Sequence, residues 1–373
     1  MERHAVVIGA GIVGCAVARD LKMRYPDWEM TILERNKSVF SETSRYNSGV
    51  VHSGIHQEPH LLKSELARRG SKLLIEFCAE KRVPFEKAGM IIVAAASDLP
   101  SLMGEFRSLT LLRRNSRTQG IPIKFLSGRG IRKLEPEVRG AFGIHIPDVW
   151  VVDQKMLATE LSAQLFLSGV RFTFGTPVRA IRVCGEKYEV VTDSGVYPAD
   201  VVVNAAGVSA DLVAALAGFD GPEISPWRGE YYEIVGEKAK LVKSSLVYPV
   251  LPPGHPVKGI HLTKTVDGRL LLGPNATSWK HREDNFEVRT PPDEFLACGR
   301  KFLPSLELED LRWAYSGLRA KIGAGKEEKD FVIRWERIHP LFVNLLGIES
   351  PGFTSAFAIA EHVRGIVESC YAA

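Results

Sequence analysis

A glycine-rich turn joins a buried strand to a helix near the start of the chain. The apolar run over 5–8 predicts a strand, which breaks at Gly9-x-Gly11-x-x-Gly14 before the helical spacing of apolar residues that starts at Ile12. In a dinucleotide-binding fold, the first glycine makes the tight turn and the second lets a pyrophosphate approach the backbone. The third lets helix and strand pack closely, and the helix N-terminus offers free N–H groups to the phosphates.

An acidic residue follows the second predicted strand, where a dinucleotide-binding motif has the carboxylate that contacts the ribose. A second predicted strand, over 30–33, ends in Glu34. A carboxylate at this distance from the glycines can accept the two ribose hydroxyls, and its charge disfavours the 2′-phosphate of NADP. We therefore predict a dinucleotide site rather than a chance glycine-rich turn, with contacts from Gly9, Gly11, Ile12, Val13, Gly14 and Glu34.

The residues after Glu34 distinguish FAD from NAD. An NAD dehydrogenase would continue with further βα units, whereas this chain enters a polar loop over 34–54. Hydroxyl and amide groups in such a loop suit phosphates and the polar edge of a flavin, so FAD is the predicted cofactor. The predicted contacts in this loop are Arg35, Thr43, Ser44, Asn47, Ser48, Gly49 and Val50.

Composition narrows the class of protein. The 373 residues exceed one ordinary core, and the apolar content of 45% is typical of a folded globular protein. The net charge of +4 does not predict nucleic-acid binding, which needs a concentrated basic patch. None of the five cysteines forms a C-x-x-C pair, so no metal site is predicted and a reducing cytoplasm is expected. There is no apolar run of membrane-spanning length, and no signal peptide is expected.

The order of predicted elements indicates one domain interrupted by another. After helix 61–82 and strand 89–95 the chain forms helix 99–118, and after helix 154–168 come paired strands over 178–183 and 187–192. A strand over 200–207 has the character of a buried parallel strand, and its small residues Ala206 and Gly207 are expected beside the cofactor. Later pieces include strands over 231–235, 246–250, 259–263 and 269–272, helices over 292–303 and 307–315, strand 342–348 and helix 354–367.

The predicted fold class is α/β plus antiparallel β. A Rossmann-like FAD/NAD(P)-binding domain is interrupted by a substrate domain with a mixed or antiparallel sheet. The cofactor domain is assigned 1–90, 151–220 and 315–373, and the substrate domain 91–150 and 221–314. Helix 99–118 carries four arginines. It is either a solvated surface or a peripheral contact with an anionic membrane, on the inner face if the protein is cytoplasmic.

Seven segments together resemble the D-amino-acid-oxidase superfamily of FAD oxidoreductases, and within it the L-2-hydroxyglutarate dehydrogenases and oxidases. They are GAGIVG, NSGVVHSGI, DVVVNAAG, RGEYYEI, DGRLLLGPNA, SGLRAKI and ESPGFTSAFAIAEHV, and they span nearly the whole chain. The resemblance implies an FAD domain interrupted twice by a substrate domain with a large sheet. One segment differs from the hydroxyglutarate branch, which usually has Ala-Pro-Ser-Pro before the last helix. This chain instead has Ile348-Glu349-Ser350-Pro351-Gly352, a form that resembles the glycerol-3-phosphate dehydrogenase-like members.

The resemblance also assigns cofactor contacts. It places residues 49–54 beside the isoalloxazine ring, where Gly49 and Gly54 let the backbone approach closely. It places the segment Pro351-Gly352-Phe353-Thr354 at the pyrimidine edge, with the backbone N–H groups after the proline as donors, and the backbone of Val178 against adenosine. Three histidines, at 52, 56 and 60, have helical spacing, but Gly54 and Pro59 oppose a helix, so a metal site is not predicted.

His52 has more than one interpretation. It is either a structural histidine beside the ring or the base that takes the hydroxyl proton of the substrate, and a histidine pKa of about 6.5 suits that role. The resemblance also leaves open a covalent flavin link through His52. Arg319 matches the arginine that holds the substrate carboxylate, and a guanidinium suits such a bidentate contact. Tyr231, Tyr232 and His261, and less directly Lys264 and Lys321, are candidates to orient a second carboxylate.

The expected reaction is oxidation of an L-2-hydroxy acid, with L-2-hydroxyglutarate giving 2-oxoglutarate by hydride transfer to flavin N5. Glycerol 3-phosphate and an α-amino acid are the alternative substrates on the same fold. A flavoprotein that holds FAD structurally is the alternative of a different class. The expected partner is a small carboxylate substrate, and oxygen, a quinone and an electron-transfer protein all stay open as the electron acceptor.

Overall fold

The structure is a computed structural model that describes residues 3–251, 259–323 and 329–372. The helices are α1 (Ile12–Arg24), α2 (Leu62–Lys81), α3 (Leu99–Gln119), α4 (Gly128–Leu134), α5 (Gln154–Leu167), α6 (Ala210–Leu216), α7 (Pro292–Arg300) and α8 (Gly352–Ala372). The strands are β1 (His4–Ile8), β2 (Glu29–Leu33), β3 (Val50–Val51), β4 (Phe85–Glu86), β5 (Met90–Ala94), β6 (Lys124–Ser127), β7 (Phe142–Ile146), β8 (Trp150–Val152), β9 (Arg171–Thr173), β10 (Val178–Cys184), β11 (Lys187–Thr192), β12 (Gly195–Ala199), β13 (Val201–Asn204), β14 (Ile224–Ile234), β15 (Leu246–Pro249), β16 (His261–Lys264), β17 (Leu270–Gly273), β18 (Thr277–Ser278), β19 (Leu311–Ile322), β20 (Val332–Arg337) and β21 (Leu341–Leu346).

A six-stranded sheet with the order β20-β21-β13-β1-β2-β9 forms the centre of the first layer. Its strands are parallel except β20, which runs antiparallel to β21. Both faces are covered, so the inner strands β13 and β21 are buried at every position rather than at alternate ones. On β1, Ala5 and Val7 pack against helices, whereas Val6 and Ile8 pack against the antiparallel β10-β11-β12 sheet.

Four helices cover the other face of this sheet. Buried side chains of α1, α2, α5 and α8 share one core with β1, β2, β13 and β21. Helices α2 and α8 come into direct contact at Gly70 of α2, where an added Cβ would lie 2.4 Å from the Thr354 carbonyl oxygen of α8. Among the described residues, no helix has the length and apolar character needed to span a bilayer.

The second large sheet has nine strands, in the order β18-β14-β17-β16-β15-β5-β7-β6, with β19 paired to β14. Most pairs are antiparallel, but β15 runs parallel to β5, so the sheet is mixed. Helix α7 packs on one face through Phe295, and α3 packs on the other through Leu109 and Leu112. The predicted fold class, a Rossmann-like layer combined with a mixed or antiparallel sheet, is confirmed.

The chain passes repeatedly between the two sheets. Three of the predicted domain limits fall inside strands: 90/91 lies within β5, 150/151 lies within β8, and 314/315 lies within β19. Because β19 pairs with β14 along residues 311–322, the chain at 315 is held in the nine-stranded sheet and is not a linker. The division into a cofactor and a substrate domain stays a prediction.

The largest error in the predicted elements is the helix over 307–315. A short 3-10 turn occupies Leu308–Asp310, and the extended strand β19 follows directly. Pairing with β14, about eighty residues earlier in the chain, overrides the local pattern. Most other elements match the prediction to within a few residues, but β14 begins seven residues before the predicted strand and α8 ends five residues after the predicted helix. Asp153 caps α5 by accepting the backbone N–H groups of Lys155 and Met156.

Candidate active site

A cavity of about 780 Å³ opens where parallel strands of the six-stranded sheet end. Ile8 of β1 leads into Gly9, Leu33 of β2 leads into Glu34, and β13 leads into Ala205, and all of these residues line the cavity. Carboxyl ends of neighbouring parallel strands meet at one edge of a sheet, which is where such folds bind ligands. A volume in this range is typical of a pocket for a small molecule or cofactor.

The glycines of the first turn provide space that no other residue would leave. Gly9 has a φ of +107°, and a Cβ there would lie 2.5 Å from the Ala205 carbonyl oxygen. A Cβ on Gly14 would lie 2.0 Å from the Gly9 carbonyl oxygen, so α1 packs directly on the turn. Gly11 is less restricted, because its Cβ would meet only the Ser44 hydroxyl at 3.0 Å.

Glu34 is buried and held in place at the cavity edge. Its carboxylate accepts the Ala10 backbone N–H at 2.8 Å, the Asn36 backbone N–H at 2.8 Å and the Asn36 side-chain amide at 2.9 Å. The next residue, Arg35, pairs with Glu42 at 2.6 Å. The turn and the acid predicted to hold the ribose are therefore parts of one hydrogen-bonded unit.

The polar loop over 43–48 lies between α1 and the nine-stranded sheet. The Ser44 hydroxyl accepts the Ile12 backbone N–H at 3.0 Å, and the Thr43 hydroxyl donates to the Leu318 carbonyl at 2.7 Å. A Cβ on Gly317 would lie 2.3 Å from the Tyr46 carbonyl oxygen, so β19 touches this loop directly. The loop thus brings the strand that carries Arg319 to the glycine-rich turn.

The start of α8 completes the wall. The Thr354 hydroxyl accepts the His52 backbone N–H at 3.1 Å and donates to the Val50 carbonyl at 3.3 Å. Residues 348–354 line the cavity together with Val50 and His52. The three glycine-bearing segments that the sequence places near 9–14, 47–54 and 350–354 therefore border a single cavity.

Polar side chains from the nine-stranded sheet face the same space. Tyr231 of β14, His261 of β16 and Arg319 of β19 all line the cavity. His261 stacks on Tyr248 with ring centroids 3.7 Å apart, and its Nδ1 lies 3.1 Å from the Thr263 hydroxyl. Burial, nearby His52 and Arg319 together hold the pKa of the His261 imidazole well below its usual value. His261 is therefore neutral at physiological pH.

Two buried phenols stand close to Arg319. Burial raises the pKa of Tyr231, while Arg319 and a hydrogen bond with Ser48 oppose that rise. Burial also raises the pKa of Tyr248 well above its usual value, and Arg319 again opposes the rise. Both phenols are protonated at neutral pH. Arg319 thus faces neutral groups that can donate hydrogen bonds, so this part of the cavity suits an anion.

The structure brings together nearly all of the predicted site residues. Those that line the cavity are Gly9, Gly11, Ile12, Val13, Glu34, Arg35, Thr43, Ser44, Asn47, Ser48, Val50, His52, Val178, Ala206, Gly207, Tyr231, His261, Arg319, Pro351, Gly352, Phe353 and Thr354. Gly14 and Gly49 lie behind the wall, where a Cβ on Gly49 would be 2.7 Å from the Val152 carbonyl oxygen. They would not contact a cofactor directly. Their role would be to let neighbouring backbone segments pack closely behind the residues that do.

Several weaker candidates lie elsewhere. The Tyr232 hydroxyl donates to the Thr290 carbonyl, and Lys264 donates to the Val242 and Lys243 carbonyls. Lys321 is buried beside the Trp227 ring. None of the three lines the cavity. Tyr232 and Lys264 are an odd number of residues from the cavity-lining Tyr231 and His261 on their strands, so they point to the opposite face of the sheet. Among the described residues, no three His, Cys, Asp or Glu side chains are grouped as metal ligands.

Some residues of the cavity wall were not predicted from the sequence. Gly229 of β14 lies opposite Gly317 of β19, and a Cβ on Gly229 would meet Pro274 at 3.0 Å and the Arg319 Nη2 at 3.4 Å. The glycines in RGEYY and SGLR could have indicated this part of the wall, because a glycine within a strand often marks the place where a ligand or another backbone approaches closely. Leu212 and Leu216 of α6 carry no such signal, because only the fold brings α6 to the cavity.

Replacing His261 by glutamine is expected to reduce the loss of stability in acid. An unfolded histidine has a pKa of about 6.5, whereas folded His261 titrates lower. Below pH of about 6.5 only the unfolded chain binds this proton, so stability falls as pH falls, by up to about 1.4 kcal/mol per pH unit. Urea unfolding at pH values of about 5.5 and 7.5 should show a smaller difference for the variant.

The matched control for this variant is His60→Gln. His60 is exposed, lies 3.5 Å from Glu58 and does not line the cavity. The control should keep the full acid dependence of the native protein. An equal acid dependence in the native protein and in His261→Gln would show that His261 is protonated in the folded state.

Taken together, the parallel sheet, the glycine turn, the buried acid and the second sheet over the cavity define a dinucleotide-binding oxidoreductase fold. A family model described as FAD dependent oxidoreductase (DAO) matches residues 4–365. The chain therefore belongs to the DAO family of FAD-dependent oxidoreductases. It is an FAD-dependent oxidoreductase.

Similar proteins include mitochondrial L-2-hydroxyglutarate dehydrogenases of two species. That of Arabidopsis thaliana is 33% identical, covering 96% of this chain and 82% of its own. That of Homo sapiens is 32% identical, covering 97% and 88%. Among solved structures, dithionite-reduced L-alpha-glycerophosphate oxidase from Mycoplasma pneumoniae with FAD bound has a TM-score of 0.87 and 28% identity, covering 99% and 95%. Glycine oxidase from Geobacillus kaustophilus, with a TM-score of 0.82 and 20% identity, shares the fold.

The residues present fit FAD. The turn at Gly9 and Gly11 leaves a space that side chains would fill, and Glu34 offers a buried carboxylate at its edge. Residues 176–179 line the cavity on the same side as α6, whereas Arg319 and His261 come from the nine-stranded sheet. The predicted cofactor, FAD, is confirmed by family membership.

Proposed function

We propose that this protein oxidises L-2-hydroxyglutarate to 2-oxoglutarate. The observation that carries the proposal is the placement of Arg319 on the cavity wall, close enough to influence the pKa of Tyr231, Tyr248 and His261. A guanidinium surrounded by neutral hydrogen-bonding groups is suited to a carboxylate. Similarity to several L-2-hydroxyglutarate dehydrogenases along nearly the whole chain supports the same substrate.

Each side chain has a role that follows from its chemistry. Arg319 holds the carboxylate next to the hydroxyl-bearing carbon, and the phenol of Tyr231 donates a hydrogen bond to the same end of the substrate. His52, whose backbone is fixed by Thr354, takes the proton of the substrate hydroxyl. Bound FAD supplies the hydride acceptor. The protein contributes orientation and proton transfer, which account for much of the rate acceleration in such enzymes.

Glycerol 3-phosphate is the second candidate substrate. It is favoured by the likeness to the glycerophosphate oxidase and by the segment over 348–352, which lines the cavity and differs from the Ala-Pro-Ser-Pro form. Arg319 would serve a phosphate as well as a carboxylate. The buried Lys63 lies 3.7 Å from Glu349 and offsets the negative charge of this acid in the segment. The two substrates therefore have to be separated by experiment.

Anaerobic mixing of the FAD-loaded protein with each substrate tests the proposal. Bleaching of the flavin absorbance by L-2-hydroxyglutarate, and formation of one equivalent of 2-oxoglutarate, are expected. The D-enantiomer serves as the control, since its hydrogen and hydroxyl are exchanged relative to Arg319 and His52. A flavin that stays oxidised with L-2-hydroxyglutarate, but is bleached by glycerol 3-phosphate, would replace the first substrate by the second.

A further inference from the structure

One exposed surface combines large apolar side chains with arginines. On α3, Leu99, Met103 and Phe106 are 70%, 53% and 56% exposed, and their spacing of four and three residues puts them on one side of the helix. The opposite side is buried through Leu109 and Leu112 against the nine-stranded sheet. A helix whose outer side contacts only water carries polar residues there. The three exposed apolar side chains therefore indicate that this side of α3 contacts something other than water.

The same side of the helix becomes basic toward its C-terminus. Arg113, Arg114 and Arg117 are exposed, and the Arg113 guanidinium lies 5.3 Å from the ring centroid of Phe125, which is itself half exposed. The neighbouring β6 and α4 extend the basic character. We refer to the exposed side chains of residues 99–134 as the α3–α4 surface; its further basic members are Arg107, Lys124, Arg129, Arg132 and Lys133.

The positive charge of the protein is concentrated in this region. Residues 97–139 contain nine Lys and Arg against four Asp and Glu, whereas the whole chain contains 48 against 44. The rest of the chain is therefore close to neutral, with 39 basic and 40 acidic residues. One of the four acids, Glu135, is buried and accepts backbone N–H groups of residues 243–245, so it is not displayed on the surface.

We propose that the α3–α4 surface binds the headgroup region of an anionic lipid bilayer. The apolar end, with Leu99, Met103 and Phe106, would enter the boundary between headgroups and acyl chains, while the arginines contact lipid phosphates. A second copy of this chain fits less well, because a two-fold interface would place the basic residues against themselves. A nucleic acid would match the arginines but would leave the three apolar side chains in water.

Co-sedimentation of the full-length, FAD-loaded protein with vesicles tests the proposal. The probes are vesicles of phosphatidylcholine alone and of phosphatidylcholine mixed with phosphatidylglycerol. Binding to the mixed vesicles, weakened by added salt, is expected. The triple substitution Arg113→Gln, Arg114→Gln, Arg117→Gln should lower the partition coefficient on the order of 100-fold, since each arginine near an anionic surface contributes about fivefold.

Two further variants sharpen the test. Met103→Ser with Phe106→Ser should also weaken vesicle binding, because both side chains would leave water on insertion. The matched control is Phe166→Ser with Leu167→Ser, a still more exposed apolar pair at the end of α5 that lacks the arginines. This control should bind vesicles as the native protein does. All variants should keep FAD and turnover with a soluble dye.

Three results would overturn the proposal. One is a native protein that does not sediment with the mixed vesicles. Another is equal loss of binding in the control pair and in the α3 variants. The third is a native protein that sediments as a dimer and becomes monomeric with the α3 substitutions, which would identify the surface as an interface between copies.

Discussion

Replacing Gly14 by alanine is expected to weaken FAD binding strongly. The new Cβ would lie 2.0 Å from the Gly9 carbonyl oxygen and 3.3 Å from the Val7 Cγ1. Neither neighbour can move away, because Gly9 is in the turn and Val7 is in the centre of the sheet. Helix α1 would have to shift, and its N-terminus would no longer face the phosphates. Strain of roughly 3 kcal/mol corresponds to an affinity loss on the order of 100-fold.

Titration of the apoprotein with FAD, followed by flavin fluorescence, measures this effect. Gly365→Ala is the matched control: this glycine lies in α8, and an added Cβ would have no heavy atom within 4 Å. The control should bind FAD normally and gain up to about 1 kcal/mol of stability, as expected for alanine in a helix. Circular dichroism shows whether each variant is folded.

A milder substitution keeps the prediction testable if Gly14→Ala does not fold. A Cβ on Gly11 would meet only the Ser44 hydroxyl at 3.0 Å, a side chain that can rotate away. Gly11→Ala should therefore fold, while its methyl group occupies the space where the pyrophosphate approaches the backbone. Native FAD affinity in both variants would show that this turn does not hold the cofactor.

The cofactor side of the site was predictable because its signals are local. Gly9, Gly11, Gly14 and Glu34 lie within 26 residues, and each is required by the geometry of one strand, turn and helix. The cap of α5 is equally local, because Asp153 accepts backbone N–H groups two and three residues further along the chain. Short-range constraints of this kind are visible in a single sequence.

The substrate side depends on pairing over long distances in the chain. Tyr231 and Arg319 face one cavity only because β14 and β19 pair, and the wrongly predicted helix over 307–315 hid that pairing. His261 was placed by resemblance, but its stacking on Tyr248 follows from the β15–β16 pair and has no local signal. The identity of these residues could be anticipated, whereas their contacts required the fold.

The paired strands that carry Arg319 are held by a buried network. Arg228 is fully buried and bonds to Glu230 at 3.0 Å, to Asp284 at 2.7 Å and to the Ser316 hydroxyl at 2.9 Å. Ser316 lies three residues before Arg319 on β19. Because buried charges without partners are costly, this network resists rearrangement and fixes the strand. The guanidinium of Arg319 is thus presented from a rigid support, which favours precise binding.

Replacing Arg319 by methionine is expected to weaken substrate binding strongly while leaving FAD in place. Loss of one member of a buried, hydrogen-bonded charge pair costs about 2–5 kcal/mol, which corresponds to a rise in substrate Kd from about 30-fold to several thousandfold. Methionine has a similar length and no charge, so the wall should remain filled. Anaerobic titration of the limiting rate of flavin reduction against L-2-hydroxyglutarate concentration gives both the Kd and the rate.

Arg312→Met and His52→Gln separate binding from chemistry. Arg312 lies on the same strand, but it is exposed and paired with Glu233, so its loss should leave the substrate Kd unchanged. His52→Gln should instead lower the limiting rate by about 10²–10⁴-fold with little change in Kd, because the proton acceptor is lost. If Arg319→Met and Arg312→Met gave the same Kd as the native protein, the carboxylate would have to be held elsewhere. A full limiting rate in His52→Gln would likewise assign the proton to another group, and the neutral His261 beside it would be the next candidate.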